Sequence, residues 1–110
     1  MFEIIHFEID PHYNKEIIDD MLEKKISILY DDAHYLNDAN NGAESLLCLK
    51  GHILSEVNND LYQLFSFTVY LDSTTGKKID IDKVKANKKL PTMLKILGSI
   101  LFNNSIVVDD

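Results

Sequence analysis

The residues best suited to acid–base chemistry are one histidine and two aspartates in the N-terminal half of the chain. Asp31, His34 and Asp38 are spaced three and four residues apart, so on a helix a carboxylate could orient the imidazole. An enzyme would also need a pocket and a nucleophile, and the sequence indicates neither. We therefore predict no catalytic residues. A small enzyme using His34 with Asp31 or Asp38 remains an alternative.

Four residues that could bind a metal alternate near the N-terminus, namely His6, Glu8, Asp10 and His12. An unbroken strand would place all four on one face, but Pro11 interrupts the strand. Successive residues along one strand face also rarely converge on a single ion. The pattern therefore favours a solvated strand face, and we predict neither a metal site nor a cofactor.

The most informative pattern is an acidic face on a predicted long helix. Between Tyr13 and Asn37 apolar residues recur at helical spacing, which predicts one amphipathic helix. Its opposite face carries acidic residues over about 33 Å. Like charges three or four residues apart repel, so this face would cost stability. The pattern is typical of either a solvated face or a surface for a basic partner. The predicted partner-binding residues are Glu16, Asp19, Asp20, Glu23, Tyr30, Asp31, His34, Tyr35 and Asp38.

The overall charge favours a basic protein over nucleic acid as the partner. Eighteen acidic residues against eleven lysines give a net charge of −7, and the chain contains no arginine. Arginine is the usual residue for bidentate phosphate recognition, so we expect no direct nucleic-acid ligand. Residues 1–44 sum to −8 and residues 77–95 to +5. The sequence therefore predicts a dipolar molecule that would orient a charged partner.

Three features predict a cytoplasmic protein. The single cysteine, Cys48, excludes an internal disulfide and fits a reducing compartment. The N-terminal residues include Glu3 and no basic stretch, which is unlike a signal peptide. The longest apolar run, Leu90–Phe102, contains Lys95 and is too short to cross a bilayer. We expect no membrane partner.

The elements that would position these residues form a single α+β domain over residues 1–110. We predict a small, largely antiparallel sheet of about three strands packed with three helices, in the order β-α-α-β-β-α. The predicted strands are Phe2–Ile9, a central strand Leu61–Leu71 and its hairpin partner Lys78–Asp82, with a possible short edge strand Ser105–Val108. The predicted helices are residues 13–37, Ala43–Val57 and Pro91–Phe102. A strand over Leu46–Leu54 is the alternative to the second helix.

A small, acidic, cysteine-poor chain with an acidic face and no catalytic motif resembles the bacterial immunity proteins. The resemblance is to those of contact-dependent growth inhibition and related nuclease toxins. It covers the whole chain through size, charge and architecture, with no residue correspondence. It implies tight binding to a basic toxin domain, often an RNase or DNase, whose phosphate-binding positions the carboxylates would occupy.

Three other functions fit the same sequence features. One is a phage-type nucleic-acid mimic that inhibits a host nuclease through the same acidic residues. Another is the small enzyme described above. The third is a structural subunit joined to its partner through apolar surface. For the chain itself we expect a monomer or a weak homodimer.

Overall fold

The computed structural model describes the backbone of residues 2–36 and 45–105, and the side chains of residues 2–36 and 45–101. The elements follow the order β-α-β-β-β-α-α. Their bounds are β1 Phe2–Pro11, α1 Lys15–Leu22, β2 Lys25–Leu36, β3 Leu46–Val57, β4 Asp60–Ser73, α2 Ile81–Lys85 and α3 Leu90–Ser105. The α+β class is confirmed. The prediction of about three strands in the order β-α-α-β-β-α is wrong, because the described residues form four strands.

The strands form one antiparallel sheet in the order β1-β4-β3-β2. The predicted central strand is confirmed as β4, which pairs with β1 on one side and β3 on the other. Its alternating apolar residues Phe65, Phe67, Val69 and Leu71 are all at most 3% exposed. Burying one face of a strand in this way fixes its register, because a slip by one residue would expose every one of them.

The predicted helix over residues 13–37 is wrong beyond Leu22. α1 ends there, and Lys25–Leu36 is the edge strand β2. In β2 the half-buried residues Ile26, Ile28 and Tyr30 alternate with exposed ones. Isoleucine fits a pleated strand well. Backbone pairing with β3 along nearly the whole of β2 then supplies hydrogen bonds that outweigh the local helical spacing.

The predicted helix Ala43–Val57 is also wrong, and the alternative strand is correct and extends to Val57. β3 lies inside the sheet between β2 and β4. Residues on both of its faces are buried, including the consecutive Leu47, Cys48 and Leu49. A strand buried on both faces shows no alternation in its sequence, so its apolar residues also fit a helical period. The start of the predicted helix, residues 43–44, lies outside the described residues.

The expected hairpin partner of β4 over Lys78–Asp82 is wrong, because α2 begins within it. The Asp80 carboxylate accepts hydrogen bonds from the backbone amides of Asp82 and Lys83, which caps α2. The helix predicted over Pro91–Phe102 is confirmed within α3. Ser105 is the last residue of α3, and the rest of the predicted strand over 105–108 lies outside the described residues.

The helices cover one face of the sheet and leave the other uncovered by any described element. Ile18 of α1 and Leu94 of α3 are completely buried against that face. α3 crosses so closely that a Cβ atom at Gly98 would lie 2.7 Å from the Phe65 ring. The Ser55 hydroxyl donates to the carbonyl oxygen of Met21 at 2.9 Å, which attaches the end of α1 to β3. This two-layer arrangement produces a flat molecule of 44 × 36 × 19 Å.

No helix among residues 2–36 and 45–105 combines the length and the apolar character needed to cross a bilayer.

Candidate functional site

The structure does not place the predicted partner-binding residues on one helical face. Four of them belong to the helix layer, at or just after α1: Glu16, Asp19, Asp20 and Glu23. Asp31 and His34 lie on β2, on the sheet face away from the helices. Asp38 lies outside the described residues. The predicted acidic face is divided because the chain turns between α1 and β2, so its described residues lie on different sides of the molecule.

Tyr30 and Tyr35 lie on the helix side of β2, on the opposite face of the sheet from Asp31 and His34. The Tyr35 hydroxyl donates to the carbonyl oxygen of Ile79 at 2.6 Å. Ammonium groups of Lys78 and Lys85 lie 4.9 and 5.5 Å from the ring centroids of Tyr35 and Tyr30, respectively. Burial raises the pKa of the Tyr30 hydroxyl. These contacts attach α2 and its flanks to β2, which is a structural role.

The uncovered side of the sheet is the most distinctive surface of the molecule, and we call it the open face. Strand alternation and register place its side chains. Lys50, for example, lies opposite Asp32 on one neighbouring strand and Thr68 on the other. Seven carboxylates and two lysines, Lys25 and Lys50, lie on the open face among the described residues. Before any histidine is protonated, these groups sum to −5.

The carboxylates surround the open face, and we call them the acidic rim. They are Glu3, Glu8 and Asp10 on β1, Asp31 and Asp32 on β2, Glu56 near the end of β3, and Asp72 near the end of β4. β1 and β2 are the two edge strands, so five of the seven lie along the sheet edges. Only Glu56 has a lysine partner within the rim, since its carboxylate lies 3.5 Å from the ammonium group of Lys25.

Inside the acidic rim, Lys50 is the one charged side chain among the described residues apart from the histidines. β3 and β4 contribute the thiol, hydroxyls and apolar groups of Cys48, Leu54, Ser66, Thr68 and Tyr70. Cys48 and Leu54 are 2% and 9% exposed, because neighbouring side chains on the same face cover them. A charged perimeter around a better-desolvated centre is the usual anatomy of a protein–protein interface.

Comparison with known proteins gives no relative. No family model, curated protein sequence or solved structure matches this chain.

All four histidines of the chain lie on the open face, each beside a specific group. Nε2 of His6 is 3.1 Å from a Glu8 oxygen, and Nδ1 of His34 is 2.6 Å from an Asp32 oxygen. Asp32 and not Asp31 is therefore the neighbour of His34. The register of β2 shifts between Tyr30 and Asp32, and this bulge directs Asp31 towards β3 instead.

The other two histidines stack on each other near the centre of the open face. The rings of His12 and His52 have centroids 5.5 Å apart and planes inclined by 27°. Nε2 of His12 lies 2.9 Å from the Ser66 hydroxyl oxygen. Nδ1 of His52 is shielded from solvent and lies 2.9 Å from an Asp31 oxygen, although poorly aligned for a hydrogen bond. An imidazole pair thus links β1 to β3 and, through Asp31, to β2.

Two residues on the open face, Ser66 and Cys48, are of types that can act as nucleophiles. Among the described residues, neither has all the neighbouring groups that nucleophilic catalysis needs. Ser66 and His12 have the spacing of a nucleophile and a base. However, Ser66 lies within β4, which pairs with strands on both sides, so the backbone amides flanking it point along the sheet towards those strands and not towards an oxyanion above the open face. At Cys48, burial raises the thiol pKa, Lys50 lowers it and Asp32 raises it, so the net direction is upward. A raised pKa disfavours the nucleophilic thiolate.

A small depression belongs to the open face, and larger clefts lie on the helix side beside α2. A depression of about 170 Å³ between β1 and β4 is lined by Glu8 and Asp10 together with the hydroxyls of Ser66 and Thr68. These groups are acceptors for a cationic side chain. A cleft of about 250 Å³ on the helix side, beside α2, is lined by Lys78, Lys83 and other residues. Among the described residues, no three His, Cys, Asp or Glu side chains converge as ligands for a metal ion.

Most of the acidic rim is absent from the predicted binding residues. Glu3, Glu8 and Asp10 are signalled by the alternation of the first strand, which placed Glu8 and Asp10 on one face with two histidines. Asp32 was hidden by the helical interpretation of β2. Glu56 and Asp72 carry no local signal, because only the pairing of β3 with its neighbours brings them to the same surface.

Proposed function

We propose that this chain is an immunity protein that binds and neutralises a basic toxin domain, a nuclease, through the open face. The observation that carries the proposal is the acidic rim around the sparsely charged centre of an uncovered sheet. Seven carboxylates against two lysines attract a basic surface over a distance of about 8 Å at physiological salt. The centre then supplies the contacts that exclude water.

The sheet supports this role because it holds the acidic rim in place before binding. Three of the four strands carrying the rim are 12 residues or longer, and the buried helix layer fixes them from behind. Side chains on such a support lose little backbone freedom when a partner docks, which reduces the entropic cost of association. The carboxylates would occupy the positions where the nuclease otherwise binds substrate phosphates.

The depression beside Glu8 and Asp10 gives the proposal a defined contact. Its two carboxylates and two hydroxyls would accept hydrogen bonds from one lysine or arginine of the toxin. Charge-assisted bonds of this kind, where water is excluded, are typical of the few residues that dominate binding energy. We expect the most strongly bound basic residue of the partner to lie here.

The proposed binding surface lies on the sheet and not on a helix, and it includes only some of the predicted partner-binding residues. Asp31 and His34 remain in the interface, since both lie on the open face. The α1 acids Glu16, Asp19, Asp20 and Glu23 lie in the helix layer. Asp19 is already paired with Lys15 at 2.7 Å. The cytoplasm is the proposed compartment, where an immunity protein would meet an incoming toxin.

Affinity capture from the source cells, followed by an activity assay, tests this function. The tagged protein is incubated with extract at low salt and at about 0.5 M salt, where screening weakens exposed charge pairs. We expect one stoichiometric basic protein whose nuclease activity is lost when an equal amount of this chain is added. Capture of a DNA-processing host enzyme that DNA displaces would indicate the nucleic-acid mimic instead. A captured partner whose activity is unchanged by stoichiometric addition would contradict the proposal.

A further inference from the structure

We infer that the open face is an acid-sensitive docking surface, from which a basic partner is released when the four histidines become protonated. The inference rests on the proposed function and adds to it a condition for release. Its starting observation is that every histidine of the chain lies on this one face: His6, His12, His34 and His52. The helix layer contains none.

The histidines lie among the groups that would attract the partner. Three of them are within 3.1 Å of a carboxylate of the acidic rim, and the fourth stacks on one of these three. His6 also lies against the Tyr70 ring, with centroids 5.1 Å apart. The titratable and charged groups facing them are Glu3, Glu8 and Asp10 on β1, Lys25, Asp31 and Asp32 on β2, Cys48, Lys50 and Glu56 on β3, and Tyr70 and Asp72 on β4.

Protonation of the histidines would remove most of the charge on this surface. Histidine is the side chain that ordinarily changes charge between about pH 8 and pH 5, while carboxylates stay ionised over most of that range. The open face carries −5 with neutral imidazoles and −1 with four imidazolium groups. Each imidazolium group also lies beside a carboxylate of the acidic rim, or, for His12, beside the His52 ring that contacts one. It therefore competes with the partner for that carboxylate. Both effects weaken the binding of a basic surface as the pH falls.

A decalysine peptide carrying a fluorescent label provides a probe of defined chemistry, because its lysines remain charged over this pH range. The dissociation constant is measured by fluorescence anisotropy at about pH 8 and about pH 5.5, at one low ionic strength. Each charged imidazole should weaken binding about two- to threefold, which is the size of an exposed charge pair. For all four we expect a loss of affinity of about ten- to a hundredfold.

The matched control replaces all four histidines by glutamine, which keeps hydrogen-bonding capacity but gains no charge. Whatever its affinity at pH 8, its dissociation constants at the two pH values should agree within about twofold. The His12–His52 stack is partly buried, so a second variant changes only His6 and His34, which are 45% and 47% exposed. This variant should keep about half of the pH effect on a logarithmic scale.

The outcomes separate the two proposals. No binding of decalysine at pH 8 would contradict an open face that recognises basic partners, and with it the proposed function. Binding at pH 8 that is equally tight at pH 5.5 would leave the proposed function in place and overturn the inference. An unchanged pH effect in folded glutamine variants would also overturn it, because the responsible groups would then not be the histidines.

Discussion

Cys48 shows how a residue on an outward sheet face can still be protected. It lies near the start of β3, opposite His34 on β2 and Tyr70 on β4, and its side chain is only 2% exposed. Burial raises the pKa of the thiol from the ordinary 9.0, and Asp32 adds to the rise while Lys50 opposes it. The folded thiol therefore keeps its proton at a pH where the unfolded thiol releases it. This difference in thiol pKa contributes to the free energy of unfolding. The contribution is fully present below about pH 9 and is lost as the pH rises beyond that value.

The first prediction concerns the reactivity of this thiol. At about pH 8 a disulfide reagent should label native Cys48 at least about a hundredfold more slowly than the same chain in denaturant, because attack requires a thiolate and an opening of the sheet. Absorbance at the wavelength of the released thiolate measures both rates. Labelling of the native protein at the unfolded rate would show that the centre of the open face is accessible to solvent.

Gly51 is a second residue whose role is defined by its contacts, because a larger residue at this position would collide with its neighbours. It lies opposite Tyr30, where the bulge of β2 brings the two backbones close together. A Cβ atom at this position would overlap the carbonyl oxygen of Leu29 and lie 3.2 Å from the Phe67 ring. Neither neighbour can retreat easily, since one is backbone and the other is a core ring.

The second prediction follows from this close contact. Gly51→Ala should lower the free energy of unfolding by about 2–3 kcal/mol, because β2 must shift away from β3. Urea denaturation monitored by circular dichroism measures the change. Gly76→Ala is the control, since a Cβ atom there meets nothing within 4 Å and only the left-handed φ of 73° opposes it. That variant should lose about 1 kcal/mol. Equal losses in the two variants would contradict the close approach of β2 and β3.

At the scale of elements, the sequence identified β1, β4 and α3 and failed at β2 and β3. Alternation was visible in the first two because each buries one face, and α3 is a long apolar run with a proline at its start. The prediction merged β2 with α1 into one helix. Apolar residues seven or eight positions apart match a helical period even when they belong to two separate elements. β3 was hidden because it is buried on both faces. Only the pairing between distant segments decides such cases, and pairing has no local signal.

The turn between β3 and β4 gives the third prediction. Asn58 and Asn59 have φ values of 52° and 69°, so both residues are left-handed, as a two-residue turn of type I′ requires. Glycine is better than asparagine at the second position, since it has no Cβ to oppose a positive φ. Asn59→Gly should therefore raise the free energy of unfolding by about 0.5–1 kcal/mol, measured from the shift of the denaturation midpoint. Asn59→Ala should lower it by about 1 kcal/mol. A stabilising alanine would contradict this turn geometry.

At the scale of the whole molecule, the sign of the candidate site could be predicted from the sequence but its position could not. The acidic residues of 1–44 and the basic residues of 77–95 were recognised as a dipole. In the fold, the acidic rim lies on the open face, while Lys78 and Lys85 contact the helix side of β2. Of the predicted partner-binding residues, Asp31 and His34 lie on the open face. Among the others, the four acidic residues Glu16, Asp19, Asp20 and Glu23 lie at or next to α1, while Tyr30 and Tyr35 lie on the helix side of β2. The helical spacing that grouped all of them does not extend beyond Leu22, and Asp38 lies outside the described residues.

The most direct test of the open face compares two triple charge reversals for binding to the captured partner. The first variant reverses three charges on the open face, with Glu8→Lys, Asp10→Lys and Asp31→Lys. The second reverses three exposed charges at or next to α1, with Glu16→Lys, Asp20→Lys and Glu23→Lys. Both variants change the net charge equally, so a difference between them reports position and not charge alone. Circular dichroism and thermal unfolding confirm that each variant is folded before calorimetry measures its dissociation constant.

We predict that the open-face variant loses at least about 3 kcal/mol of binding free energy, more than a hundredfold in affinity. The α1 variant should stay within about fivefold of the unaltered protein, since distant charges are screened at physiological salt. The reverse result, with binding lost in the α1 variant and kept in a folded open-face variant, would contradict the assignment of the open face as the interaction surface.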